Sequence, residues 1–371
     1  MKKDKLITII VMICISVLLI FIFNHNSKTK YSNKPVSREG FFFDTYIRVT
    51  LYNCAENSDA TDDFNSILDE CIKLCQEYEL IFSPTDENSQ LYILNHSEEY
   101  LSGTDYTIDK TLKDAIDQTT KITSPFSSKF SIYSGDLCAL WNFNKKTIPS
   151  ENDINMELAN IKENRPTSIT LGASAKGYIT DKIVEYLKSS GIKEALIDLG
   201  GNIYAIGDKY NDKLYSIGLK KPFSDTNETI ALLKICDKSV VTSGIYERYF
   251  EANSNIYHHI IDIETGYPVD NDLLSVTIIA DSSMVADCYS TGCLLMGKDY
   301  TLDIINSKTY EDVECIIIDN DYNIYLSNGL IQENDCITLK KDWFFRINLF
   351  SLHIFRNINF CKFFCWNWLA I

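Results

Sequence analysis

The stretch DKIVEYLKSSGIKEALIDLGGNIYAIG, Asp181 to Gly207, decides the fold. Asp181 to Leu187 has a helical pattern, Ser189, Ser190 and Gly191 end it, and Ala195 to Leu199 follows as a strand that Gly200 and Gly201 break. A helix running straight into a strand requires both element types in one unit. Outward from it, Asp63 to Ile81 and Leu112 to Ile122 repeat the three-four apolar spacing of amphipathic helices. Phe41 to Tyr52 reads as a strand, and shorter strands are expected at Leu214–Leu219, Ser239–Thr242, Tyr249–Glu251, Tyr257–Ile263, Ser275–Ala280, Val313–Asp319 and Asn323–Leu326. No βαβ period or internal repeat organises them. The expectation is an α+β fold with a mixed sheet packed against helices.

The 371 residues are 45% apolar and 23% charged, enough to bury a full core. A net charge of -16, from 51 acids against 35 bases, repels a phosphate backbone, so no nucleic acid is expected as partner. Five histidines and twelve cysteines with no C-x-x-C pair leave nothing for a structural zinc module. Cys71 and Cys75, four apart on a helical stretch, read as a helix face, and no disulfide is assigned.

Both ends differ from the body. Lys2, Lys3 and Lys5 precede an uncharged apolar run, Leu6 to Phe23, near the minimum length for crossing a bilayer. Residues 1–34 therefore read as a membrane anchor and polar spacer. Lysines flank the run on both sides, and the N-in orientation is favoured because no earlier span exists, which places residues 35–340 outside the cytoplasm at the cell membrane. Residues 341–371 form an aromatic-rich tail to which no function is assigned.

Four segments carry candidate chemistry. LGASAKGY, Leu171 to Tyr178, is a small-residue run with Lys176 at a helix start, suited to phosphate oxygens, although it lacks P-loop spacing. In ALIDLGGNIYAIG the glycines let a ligand approach the backbone, and Asn202 offers an amide. TSGIYERYF, Thr242 to Phe250, leads through a hairpin-like turn at Ala252 to Asn255 into IYHHIIDIETGYP, where His258 and His259 should face opposite ways and Asp262 should stabilise a turn. In SMVADCYSTGCLLMG, Ser283 to Gly297, Asp287 and Thr291 share one helix face. A carboxylate and a hydroxyl, joined by a carbonyl and phosphate oxygens, suit a hard cation such as Mg²⁺. Taken singly, a buried Asp–Thr hydrogen bond, a surface lysine and a structural histidine remain open readings.

In this order the segments resemble the ApbE family of FAD:protein FMN transferases. The likeness runs from about Phe41 to about Leu339. It rests on A-K-G-Y, the strand ending in G-G-N, T-S-G-I-Y-E-R-Y-F, H-H-I-I-D-I-E-T-G-Y-P and A-D-C-Y-S-T, with further matches at Phe43-Asp44-Thr45, Ser89, Asn95 and the segment ending at Trp141. The resemblance implies a T-fold-like domain and Mg²⁺-dependent transfer of FMN from FAD to a threonine or serine hydroxyl of an acceptor flavoprotein subunit, with AMP released. It places the metal between the Ala173 carbonyl, Asp287 and Thr291. It puts Lys176 near the FAD phosphates, and Phe43, Thr85, Lys129, Phe130, Ser131, Thr170 and Ile260 around FAD, with Gly200, Gly201 and Asn202 beside them. His259 is the implied general base, with Asp287 competing. Thr85, Ser131, Asp136 and Thr170 depart from the family's usual residues, pointing to weaker or altered FAD affinity. An FAD pyrophosphatase and a non-catalytic, membrane-tethered flavin-binding protein remain as alternatives.

Overall fold

The computed structural model describes residues 34–52, 58–103, 107–163, 165, 167–210, 213–226, 228–309 and 312–340. The expected anchor at Leu6–Phe23 and the aromatic tail lie outside them. Among the described residues no helix is long and apolar enough to cross a membrane.

The chain opens with β1 (Val36–Phe42) and β2 (Thr45–Leu51), followed by α1 (Ser58–Phe82), α2 (Gln90–Asn95), α3 (Glu98–Leu101) and α4 (Lys110–Thr123). A 3-10 turn at Ser124–Phe126 leads to α5 (Gly135–Leu140), α6 (Glu151–Lys162) and α7 (Ala175–Ser189). The strands β3 (Ala195–Leu199), β4 (Asn202–Ile206), β5 (Tyr215–Lys220), β6 (Thr229–Ile235) and β7 (Lys238–Gly244) come next. After the hairpin β8 (Tyr249–Ala252) and β9 (Asn255–His258) come β10 (Leu273–Ala280), α8 (Ser283–Met296) and α9 (Lys298–Asn306). The last described strands are β11 (Glu314–Asp319), β12 (Ile324–Leu326), β13 (Leu330–Glu333) and β14 (Cys336–Leu339).

Eight strands form one sheet in the order β1-β2-β3-β4-β7-β10-β11-β12, and every neighbouring pair is antiparallel. A smaller sheet, β13-β14-β6-β5, contains a parallel pairing, β14 with β6. The α+β expectation holds, but parallel pairing is confined to the small sheet. The helices cover one face of the large sheet. Leu68, Cys71 and Cys75 of α1, Ile179 and Ile183 of α7, and Cys288 and Leu294 of α8 meet Val49, Ile197, Val276, Ile278 and Ile317 there. The small sheet covers part of the other face, packing Ile217, Leu233 and Ile337 on Ala205, Val240, Ile279 and Ile316. All eight residues of β10 are consequently buried, Ile278 toward one core and Ile279 toward the other. Each such side chain contributes about 1.5–3 kcal/mol of apolar burial.

Two sequence expectations are corrected. Phe41–Tyr52 is a hairpin rather than one strand: Phe43 and Asp44 form its two-residue turn with φ of 53° and 56°, the left-handed conformation that two-residue hairpins require. The expected strand at Tyr257–Ile263 ends at His258, where the buried ring turns back to bond the Ile260 amide and the Val269 carbonyl. The turn between β8 and β9 and the helical Cys71–Cys75 face fall where the sequence put them.

Candidate functional site

The site assembles at one end of the large sheet, where two hairpin turns stand side by side. Gly200 and Gly201 join β3 to β4 with φ of 59° and 93°. A Cβ on Gly200 would lie 2.2 Å from Thr45 Oγ1, so only glycine admits this contact with the β1–β2 hairpin. At that hairpin's tip the Phe43 amide donates to Glu79 of α1 at 2.8 Å. One turn later the Ser83 amide donates to the Glu79 carbonyl, and Ser83 Oγ lies 3.4 Å from Thr85 Oγ1. Thr85 itself is exposed in the loop after α1.

From the glycine turn, Asn202 begins β4 opposite Val241 of β7. Asn202 is 2% exposed, and its Nδ2 has no partner among the described residues. Two positions along β7, Ser243 reaches α8, with its Oγ 3.0 Å from Thr291 Oγ1 and 2.8 Å from Ser290 Oγ.

α8 is tied to α7 at two points. Asp181 of α7 accepts from Ser282 Oγ at 2.6 Å and from the Ser283 and Met284 amides at 2.7 and 3.0 Å, satisfying donors that a helix start leaves open. Burial raises its carboxyl above the usual range, against the pull of these bonds. Further on, the Gly177 amide donates to Asp287 Oδ2 at 2.9 Å. Gly177 is the third residue of α7, so its amide is one of the donors that a helix start leaves open, and Ala173 lies just before the Ser174 cap. Asp287 is 3% exposed, and its other oxygen takes no hydrogen bond among the described residues.

The segment ahead of α7 is braced by Asn95, which accepts from the Ile169 amide at 2.8 Å and donates to its carbonyl at 2.9 Å. Asp136 accepts from the Ser168 amide and hydroxyl at 2.9 and 2.5 Å, giving this departure from the family pattern a local role. The Thr170 amide donates to the Ile132 carbonyl, which sets Phe130 and Ser131 beside Thr170. Lys129 Nζ lies 2.8 Å from Asp262, and the Lys129 carbonyl accepts from the Ile263 amide. Asp262 also accepts from the Glu264 amide at 2.8 Å, the side-chain-stabilised turn the sequence suggests.

Beyond that turn stand the histidines. His258 is buried, whereas His259 is half-buried with Nδ1 3.2 Å from the Arg248 carbonyl. A carbonyl only accepts, so Nδ1 carries the proton and Nε2 keeps its lone pair. Burial lowers the His259 pKa to about 4, helped by the positive charges of Arg248 and Lys176. Ile260 is buried, and its carbonyl accepts from the Val269 amide.

Hydrogen bonds and strand pairing thus join part of what the sequence selects: Gly200 meets the β1–β2 hairpin, Asn202 pairs onto β7, and Ser243 of β7 meets Thr291 of α8, the helix whose Asp287 bonds Gly177. Lys129 meets Asp262 and the Ile263 amide, near Ile260 and His259 in the chain, and Thr170 bonds Ile132 next to Ser131, while Ala173 and Lys176 stand at the start of α7 beside Gly177. In the α1–α2 loop Ser89 Oγ donates to the Ser83 carbonyl, and Asn95 at the end of α2 holds Ile169. Glu79, Gly177, Ser243 and Ser290 were not selected as site residues. Ser243 lies inside a recognised motif, but no spacing reveals its contact with a helix 48 residues away. Among the described residues no group of three or more His, Cys, Asp or Glu could hold a metal, and the set that the resemblance implies is one carboxylate, one hydroxyl and one carbonyl. That set fits a hard cation and not zinc. A separate open groove of about 620 Å³ between α2, α3 and the start of α4 contains none of these residues.

The fold matches that of solved ApbE proteins. The structure superposes on the ApbE protein of Thermotoga maritima with TM-score 0.67 and 26% identity, covering 80% of this chain and 97% of that one. The flavin transferase ApbE of Vibrio cholerae gives 0.67 at 21% identity over 80% and 97%. Among curated proteins, an FAD:protein FMN transferase of Klebsiella pneumoniae is 33% identical over 69% of this chain and 83% of its own length. One of Treponema pallidum is 28% identical over 80% and 88%. The sequence model of the ApbE family matches residues 43–317, and the chain belongs to that family and so to the transferases.

Proposed function

We propose that this enzyme moves the FMN half of FAD onto a threonine or serine hydroxyl of an acceptor flavoprotein. The acceptor oxygen forms a bond to the phosphorus nearer riboflavin, the anhydride bond breaks, and AMP leaves with the bridging oxygen. The acceptor proton goes to His259 Nε2, which the Nδ1 contact with Arg248 leaves as a base at neutral pH. Lys176 draws the pyrophosphate, and the exposed glycines at 200 and 201 with the orphaned Asn202 amide offer a surface for the rest of FAD. The Ala173 carbonyl, Asp287 and Thr291 would hold Mg²⁺, which when bound supplies Lewis-acid neutralisation of pyrophosphate charge.

The observation carrying this reading is the bond from the Gly177 amide to Asp287 Oδ2, which holds that carboxylate against the first turn of α7, just after Ala173, while its other oxygen takes no hydrogen bond among the described residues. Incubation with FAD, Mg²⁺ and an acceptor subunit should give a fluorescent covalent band that EDTA and Asp287→Ala abolish. Free FMN and AMP without any band, across acceptors, would instead favour hydrolysis. We also propose that Leu6–Phe23 anchors the enzyme in the cell membrane with residues 35–340 outside the cytoplasm, the apolar run being the support. Protease treatment of intact spheroplasts should then digest this domain, and full protection would reverse the orientation.

A further inference from the structure

Resting on the metal-site reading above, we infer that Ser243 and Ser290 are positioning residues that turn the Thr291 hydroxyl proton away from the site and leave its lone pairs for a divalent cation. Each serine or threonine hydroxyl has one proton and two lone pairs. The chain of contacts ends on a group that can only accept, because Ser290 Oγ donates to the Asp287 carbonyl at 2.9 Å. That uses the Ser290 proton. At the 2.8 Å contact between Ser290 and Ser243 the donor is therefore Ser243. With that proton also used, Thr291 must be the donor at the 3.0 Å contact with Ser243. One backbone carbonyl thus sets the direction of all three bonds. A hydroxyl whose proton is held on one side presents lone pairs on the other, whereas a freely rotating one would often point its proton at a cation.

The surroundings keep this order. Ser290 is fully buried, so water does not compete for its proton. Ser243 is held in register by pairing with Val276 of β10, and its neighbour Thr242 faces the other way to bond Thr277 at 2.8 Å. Among the β7 hydroxyls, the relay to α8 passes through Ser243.

The test is Mn²⁺ titration of the full chain with FAD present, followed by EPR, alongside thermal melting without metal. Ser243→Ala should weaken Mn²⁺ binding roughly ten- to a hundred-fold, the scale seen when groups orienting a metal ligand are removed. Its metal-free melting temperature should stay at the wild-type value. Ser243→Thr, which keeps the hydroxyl, should restore affinity, and Ser290→Ala should weaken it by freeing Ser243 to turn its proton back toward Thr291. Wild-type affinity in both alanine variants, with binding lost in Asp287→Ala, overturns the relay alone. Retained binding in Asp287→Ala overturns the metal-site reading itself. Lower melting temperature and lower affinity that Ser243→Thr does not restore would make Ser243 a packing residue and also overturn the relay.

Discussion

Lys129 and Asp262 carry opposite charges where one of them has little access to water. The aspartate side chain is 4% exposed and the lysine 30%, at 2.8 Å. Lys129→Met would strand the carboxylate, and we expect a loss of about 3 kcal/mol in urea unfolding, against little change for Lys129→Arg. An equal loss in both variants would point to packing instead. His258 and His259 give a pH signature, since burial is the main cause lowering both pKa values to about 4. The folded pKa is below the ordinary 6.5. Stability from these rings is therefore complete above 6.5 and drains as pH falls toward 4, where the unfolded chain takes up protons first. Urea midpoints should drop between pH 7 and 4.5, and less so in His258→Gln; an identical drop in that variant would remove His258 from the explanation. At this scale the sequence reveals residue types but not partners. Asp287 and Thr291 were legible because four residues make one helical turn, whereas Gly177 meets Asp287 across 110 residues and Asn95 meets Ile169 across 74.

The α7–α8 pair is the element on which the site depends. A Cβ on Gly177 would come within 2.4 Å of the Ser283 carbonyl oxygen and 2.8 Å of Asp287 Cβ. Gly177→Ala should push the helices apart, costing about 2 kcal/mol and weakening Mn²⁺ binding with it. Destabilisation with unchanged metal affinity would separate the helix contact from the site. Asp181→Asn removes the charge that caps α8 and should cost about 1 kcal/mol by thermal melting. An unaltered melting temperature would show that the neutral amide caps equally well. Elements with a clean apolar period were readable, among them α1, α4, β3 and β10. Others were hidden for physical reasons. Leu232 in β6 points outward at 41% exposure and blurs its alternation, and α6 buries only Ile154 and Leu158 while Met156 is exposed. The β1–β2 turn lacks the glycine or asparagine that usually marks one, and the Glu79 carboxylate holds its Phe43 amide instead.

Across the whole molecule the two packed faces keep thiols out of reach. Among the described residues Cys71, Cys75, Cys288, Cys293 and Cys315 are free thiols, and all five are buried. Burial pushes the thiols of Cys71, Cys75 and Cys315 up to about 12 and raises Cys288 and Cys293 as well. Iodoacetamide at pH 8 should therefore label none of these five in the native protein, as counted by mass spectrometry, and all five after denaturation. Fast native labelling of Cys288 would mean that the helical layer opens. Residues 35–340 contain every described core, so that fragment should bind FAD as the full chain does, read by titration; weaker binding would give the ends a role. The β1–β2 ribbon has one more consequence. Val36 pairs with Leu51 at one end and Phe42 with Thr45 at the other, so the strand spans roughly 20 Å between its entry and the Phe43–Asp44 turn. A purification handle or carrier protein spliced ahead of Val36 would therefore join the chain roughly 20 Å from the Phe43–Asp44 turn, at the opposite end of the strand.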